Sequence, residues 1–193
     1  AKTVNYAIEN GLSYIGENKV QELLDKFPDI KGAHRHFIGH LQTNKVKYIV
    51  DKVEMIESVH SVKLAVEIDK RCAVADKVMD ILLEVNIGGE EAKSGFTPEE
   101  LLDAVYTIAK LKNVKIKGLM TIPPAVSEEK VRKYFIKMQQ LFVDISAKNI
   151  DNIDMKYLSM GMSSDFAEAI RCGANIVRIG TSLFGARYYS KEK

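Results

Sequence analysis

Met79-Asp80-Ile81-Leu82-Leu83-Glu84-Val85-Asn86-Ile87 alternates apolar and polar residues at every position but Leu82. In an extended strand Ile81, Leu83, Val85 and Ile87 share one face, and Asp80, Leu82, Glu84 and Asn86 share the other. A parallel strand covered by helices on both sides reads apolar throughout. This one offers helices a single face, and its polar alternates suit the lumen and C-terminal mouth of a closed barrel. A doubly wound sheet is the alternative architecture for the same run.

Outward from that strand the chain keeps one rhythm, a short apolar strand followed by an amphipathic helix. Upstream, strands are expected at Leu12–Ile15, His36–Gly39 and Glu54–Val59. Between them run helical stripes through Val20, Leu23, Leu24 and Phe27, then Val46, Ile49 and Val50, then Leu64, Ile68, Cys72 and Ala75. Downstream, Thr97-Pro98-Glu99-Glu100 is a capping box with proline at the first helical position. Strands follow at Lys115–Ile122, Lys156–Met160 and Ile176–Gly180, with a long helix after Ser127 and a short one from Thr181. Seven strands, each followed by a helix, make a parallel sheet. The chain opens on a helix through Val4, Ala7 and Ile8 that has no strand before it. The fold expected is therefore α/β, a (β/α)8 TIM barrel lacking its first strand in the chain as given. Such barrels run to roughly 250 residues, and this chain has 193, read as a single domain over residues 1–193.

Composition narrows the function classes. Hydrophobic residues make up 46% of the chain, enough for one sizeable core, and the net charge is only +2. No Lys/Arg block suggests a nucleic-acid footprint or a membrane-surface patch. Cys72 and Cys172 lack C-x-x-C spacing and read as small buried residues in a reducing compartment. No apolar run approaches the ~20 residues of a membrane span. A cytoplasmic protein is expected.

Active sites of such barrels lie at the C-terminal ends of the strands. Ile176-Val177-Arg178-Ile179-Gly180-Thr181-Ser182 is the most telling of these ends. Val177 and Ile179 pack toward the helices, which turns Arg178 into the barrel. Gly180 admits a ligand to the backbone, and Thr181 opens a helix whose free amides and positive end suit a phosphate. The plainer reading is a strand-end glycine, a capping threonine and a salt-bridged arginine. Ser163, after the sixth strand, either shares that phosphate or caps the following helix. Gly16-Glu17-Asn18 reads as a turn, or as an amide held against a flat ligand. His34, His36 and His40 lack metal-ligand partners, His60 reads as a surface loop residue, Lys93-Ser94-Gly95 as a solvated loop, and Met120 as barrel packing. Tyr188 and Tyr189 are expected against the barrel wall. There is no Walker loop, no Ser/His/Asp triad and no paired-carboxylate pattern.

These segments together resemble one family. The run from His36 to Lys45 is similar to its HFIGxLQxNK signature, and Gly16-Glu17-Asn18 to its GEN motif. Lys93-Ser94-Gly95, Gly118-Leu119-Met120, Leu158 to Ser163 with Asp165, and Val177 to Thr181 with Phe184 to Arg187 follow in the family's order. On these motifs the chain is identified as a member of the pyridoxal phosphate homeostasis protein family. The resemblance implies a fold like the N-terminal barrel of alanine racemase and binding of pyridoxal 5′-phosphate (PLP). It implies phosphate contacts from Ser163, Gly180 and Thr181, Arg178 facing the pyridine nitrogen, Asn18 near the ring, and His36 near the site. Family members carry a Schiff-base lysine at the end of the first strand. Lys2 sits on the opening helix instead, so that lysine is expected upstream of Ala1, or is lacking in this version.

An arginine at the ring nitrogen weakens carbanion stabilisation, and a racemase needs a second base on the other face. The function expected is therefore a non-catalytic PLP carrier or regulator in vitamin B6 homeostasis, a monomer, with PLP-dependent apoenzymes as candidate recipients. A fold-type III amino-acid racemase and a PLP-independent sugar-phosphate barrel are the alternatives.

Overall fold

Period-2 patterning becomes seven parallel strands, each hydrogen-bonded to the next in sequence: β1 Tyr14–Glu17, β2 His34–Phe37, β3 Met55–Val59, β4 Met79–Glu84, β5 Val114–Met120, β6 Ile153–Met162 and β7 Ile176–Arg178. The structure is a computed structural model, and it describes residues 1–185. The expectations for Arg187, Tyr188 and Tyr189 lie outside the described residues. The helices are α1 Lys2–Glu9, α2 Val20–Lys26, α3 Val62–Val74, α4 Leu101–Ile108, α5 Glu128–Ser146, α6 Phe166–Arg171 and α7 Thr181–Phe184. The seven strands form a nearly closed α/β barrel. No helix of the described residues is long and apolar enough to cross a membrane.

The alternation in β4 has the consequence expected of it. Ile81 and Leu83 join the large core between sheet and helices, together with Phe37, Ile56, Leu119 and Phe135. Leu82 points the other way and packs with Met55, Met120 and Tyr157 in a separate cluster. Inner and outer apolar layers on one sheet are the mark of a barrel with a filled lumen. Met120 is thus lumen packing, as its position suggested.

Local chemistry sets the boundaries. Thr97 and Glu100 close the capping box: the Glu100 amide donates to Thr97 Oγ1 at 3.3 Å, and the Thr97 amide donates to Glu100 Oε2 at 3.3 Å. Ser61 caps α3, accepting from the Leu64 amide at 3.2 Å. On α5, Val131, Phe135, Met138 and Ile145 are buried at helical spacing.

The expected helix through Val46, Ile49 and Val50 is instead a 3-10 turn over Thr43–Tyr48. Its three residues are buried all the same; tight turns bury a stripe as well as an α-helix does when short. The first two strands shift by about two residues, a boundary error of ordinary size. Cys72 is buried as expected, whereas Cys172 is only half-buried, with its thiol near Glu168. At the two sheet edges burial falls off: β3 is buried along its whole length, whereas β1 and β7 are half-buried or exposed.

Candidate functional site

The polar residues that face the lumen above the Met55, Leu82 and Met120 layer come from five strands. Glu57 on β3 is 1% exposed. A carboxylate stripped of water at that depth costs several kcal/mol unless hydrogen bonds and charge replace the solvent. Here His36 Nδ1 on β2 lies 2.7 Å from Glu57 Oε1, and the Ser159 hydroxyl on β6 donates to Glu57 Oε2 at 2.6 Å. Ser159 in turn accepts from Nη1 of Arg178 on β7. Arg178 Nη2 donates to the Thr121 carbonyl at 2.8 Å, and the Thr121 hydroxyl to the Val85 carbonyl at 2.7 Å. Arg178 therefore does point inward, at the end of a chain that crosses the barrel. Burial pushes its pKa below the ordinary guanidinium value, while Glu57, Asp165 and Glu84 pull it back up; arginine stays charged under such conditions.

Just beyond Arg178 the chain turns outward. The amides of Gly180 and Ser182 both donate to Ser163 Oγ, each at 3.3 Å. Ser163 follows β6, so the hydroxyl bridges the ends of the last two strands. The helix-capping reading of Ser163 is corrected: Asp165, not Ser163, takes the Met162 amide at 2.7 Å ahead of α6, and Ser163 turns across to β7. A Cβ at Gly180 would meet no atom within 4 Å, so the backbone there is open to an approaching group. Thr181 is the exposed first residue of α7. Two convergent amides and a hydroxyl fit a phosphate ester.

The other wall of the mouth comes from β1 and β2. Gly39 passes so close to Asn18 that a Cβ would stand 1.9 Å from the Asn18 carbonyl oxygen. The Gly39 carbonyl is tied down by the Ser58 hydroxyl at 2.6 Å. Tyr14 lies edge-on to the His36 ring, with centroids 5.6 Å apart.

Known proteins place the chain in a family. The description of the alanine racemase N-terminal domain family matches residues 1–188. The pyridoxal phosphate homeostasis protein of Aquifex aeolicus is 50% identical over 182 residues, covering 93% of this chain and 79% of that protein. The chain belongs to the pyridoxal phosphate homeostasis protein family. PipY of Synechococcus elongatus, solved with PLP bound, superposes with a TM-score of 0.86 at 28% identity, over 95% of this chain and 87% of that one. An alanine racemase of Clostridium difficile, 18% identical with a TM-score of 0.73 over 95% of this chain and 47% of its own, shows the shared barrel alone.

In this homeostasis-family chain the expected residues fall into two groups. Ser163, Gly180 and Thr181 are brought together at the ends of β6 and β7. Arg178 and His36 are joined through Ser159 and Glu57. Asn18 stands on the β1 side, with no side-chain hydrogen bond to either group among the described residues. The Lys93-Ser94-Gly95 segment is not simply solvated: Ser94 Oγ approaches both Glu84 Oε1 and His40 Nδ1 at 3.4 Å. His60 is not a surface residue either; it is half-buried and packs edge-on against His40 with centroids 4.5 Å apart. Burial and the neighbouring His40 lower its pKa.

Two lumen carboxylates, Glu57 and Glu84, stand near the site although the sequence shows no paired-carboxylate pattern. Burial pushes Glu84 up to about 7, against opposing pulls from Ser94 and Arg178. Both were findable: Glu57 is a charged residue inside the otherwise buried Met55–Val59 strand, and Glu84 stands on the polar face of β4. The sequence carries no sign of the partners of Glu57, which come from β2 and β6, whereas Glu84 meets Ser94 from the loop that follows its own strand.

Proposed function

We propose that this chain binds PLP at the C-terminal mouth of its barrel and serves intracellular vitamin B6 homeostasis as a carrier or regulator of the cofactor, without efficient turnover. The observation that carries the reading is the convergence of the Gly180 and Ser182 amides on Ser163, one step beyond an inward-facing Arg178. Ser163 and the backbone around Gly180 and Thr181 would hold the phosphate. Arg178 would face the ring nitrogen, Asn18 the ring, and His36 would stand close by.

PLP, when bound, supplies an electron sink whose strength depends on protonation of its ring nitrogen. Arg178 has only donors and a fixed positive charge, so it disfavours a proton on a nitrogen beside it. The residues at this mouth thus hold and orient a ligand while damping carbanion chemistry. Relatives named homeostasis proteins agree with that division. We further read the chain as a single-domain cytoplasmic monomer that supplies PLP-dependent apoenzymes. An eighth strand bearing the Schiff-base lysine would stand between β7 and β1, whose incomplete burial supports that placement.

The test is titration of the full-length protein with PLP, followed by tyrosine fluorescence and by the absorbance of the ligand. Binding should saturate and be competed by inorganic phosphate. It should weaken by about tenfold or more in Ser163→Glu, which sets a carboxylate among the anion donors. No binding by the wild type, or equal binding by Ser163→Glu, refutes the reading. Solvent deuterium at Cα of alanine should not accumulate at enzymatic rates with the PLP-loaded protein; rapid exchange would make it a racemase.

A further inference from the structure

The function proposed above leaves Glu57 without a task, although it is among the most deeply buried charged residues described. We propose that Glu57 is a positioning residue that sets two ligand-facing side chains at once, Arg178 from β7 and His36 from β2. The proposal rests on the PLP reading of the mouth for its functional meaning.

The donor and acceptor inventory leads there. An ionised carboxylate only accepts, so His36 must carry its proton on Nδ1, the atom 2.7 Å from Glu57 Oε1. The imidazole orientation is thereby fixed, and Nε2 is left without a hydrogen-bond partner among the described residues. Glu57 Oε2 takes the single proton of the Ser159 hydroxyl. That forces a Ser159 lone pair toward Arg178 Nη1, and the Thr121 carbonyl takes Nη2. With both terminal nitrogens held, the guanidinium plane cannot turn. Of the three carboxylates that act on Arg178, only Glu57 is hydrogen-bonded into this chain. Asp165 caps the Met162 amide, and Glu84 Oε2 has no partner among the described residues. Exchanging one carboxylate oxygen at position 57 for an amide donor leaves a single acceptor for two donors, so either the Ser159 hydroxyl must turn its proton elsewhere and disturb the lone pair that Arg178 uses, or the His36 ring must change tautomer.

The two arms of the chain separate in experiment. In ligand-free, full-length protein, 15N-resolved NMR should show a slowly exchanging Arg178 guanidinium proton and His36 protonated at Nδ1. Glu57→Gln should disturb at least one of the two signals. Ser159→Ala should disturb only Arg178, because the His36 contact with Glu57 remains. On adding PLP, the absorption and fluorescence of the bound ligand should differ between Glu57→Gln and wild type, with affinity down by about tenfold. A correctly folded Glu57→Gln, by far-UV circular dichroism, with both signals unchanged overturns the proposal. So does a Ser159→Ala protein in which His36 moves as far as Arg178, an outcome that decides the matter even if Glu57→Gln fails to fold. Identical ligand spectra and affinity in Glu57→Gln and wild type overturn its functional half. Failure of the wild type to bind PLP refutes the proposed function instead, since the ligand-free signals do not involve PLP.

Discussion

Burial at the head of β4 raises the Glu84 carboxyl to about 7 from an ordinary 4.5, and its Oε2 has no partner among the described residues. The unfolded chain gives up this proton near its ordinary value, the folded chain only near 7. Between the two the folded state binds more proton, so its stability falls as pH rises through that window. The side chain keeps some contact with water, which limits the effect to about 1–3 kcal/mol. Urea unfolding at about pH 5 and about pH 8 should therefore show a loss in the wild type that Glu84→Gln largely removes. At this scale the sequence was half readable. Arg178 follows from its place between Val177 and Ile179, and Glu84 from the polar face of β4. The partners do not follow, because Glu57 and Ser159 stand 102 positions apart and nothing local in either segment anticipates their meeting.

Helix ends and close strand crossings carry the next level of control. The capping box ahead of α4 was legible because both its members lie within one turn. Thr97→Ala should cost about 1 kcal/mol, visible as a lower urea midpoint with an unchanged denaturant slope. Gly118 is a harsher case. Its φ is +152°, and a Cβ would stand 1.8 Å from the Tyr157 carbonyl, inside the β5–β6 pairing. Gly118→Ala should exceed about 4 kcal/mol and prevent accumulation of folded protein, measured as soluble yield and melting temperature. Gly39→Ala should lower both the melting temperature and PLP affinity, because the backbone it strikes, that of Asn18, belongs to the mouth. The turn over Thr43–Tyr48 escaped the sequence, since Val46, Ile49 and Val50 bury equally well in either kind of helix.

For the whole molecule, the alternation of Met79 to Ile87 forecast an apolar face toward the helices and a polar one toward the lumen; the outer layer is present, and the lumen adds an apolar floor of Met55, Leu82 and Met120 below its polar residues. Leu82→Ala, emptying the inner layer, should cost about 2–5 kcal/mol in urea unfolding and loosen the floor beneath Arg178. The neighbour-by-neighbour order of the strands bears on how the protein comes into being. Each βα unit can dock on its predecessor while the ribosome is still working, since few distant pairings are needed for the sheet to grow. The bridge from β3 to β6 cannot form so early. Glu57 is synthesised long before Ser159 and Arg178 emerge, and until then its carboxylate has no crossing partner. On the proposed site, ligand competence thus waits for β6 and β7 to arrive, and fraying of those two strands is the shortest way to lose it.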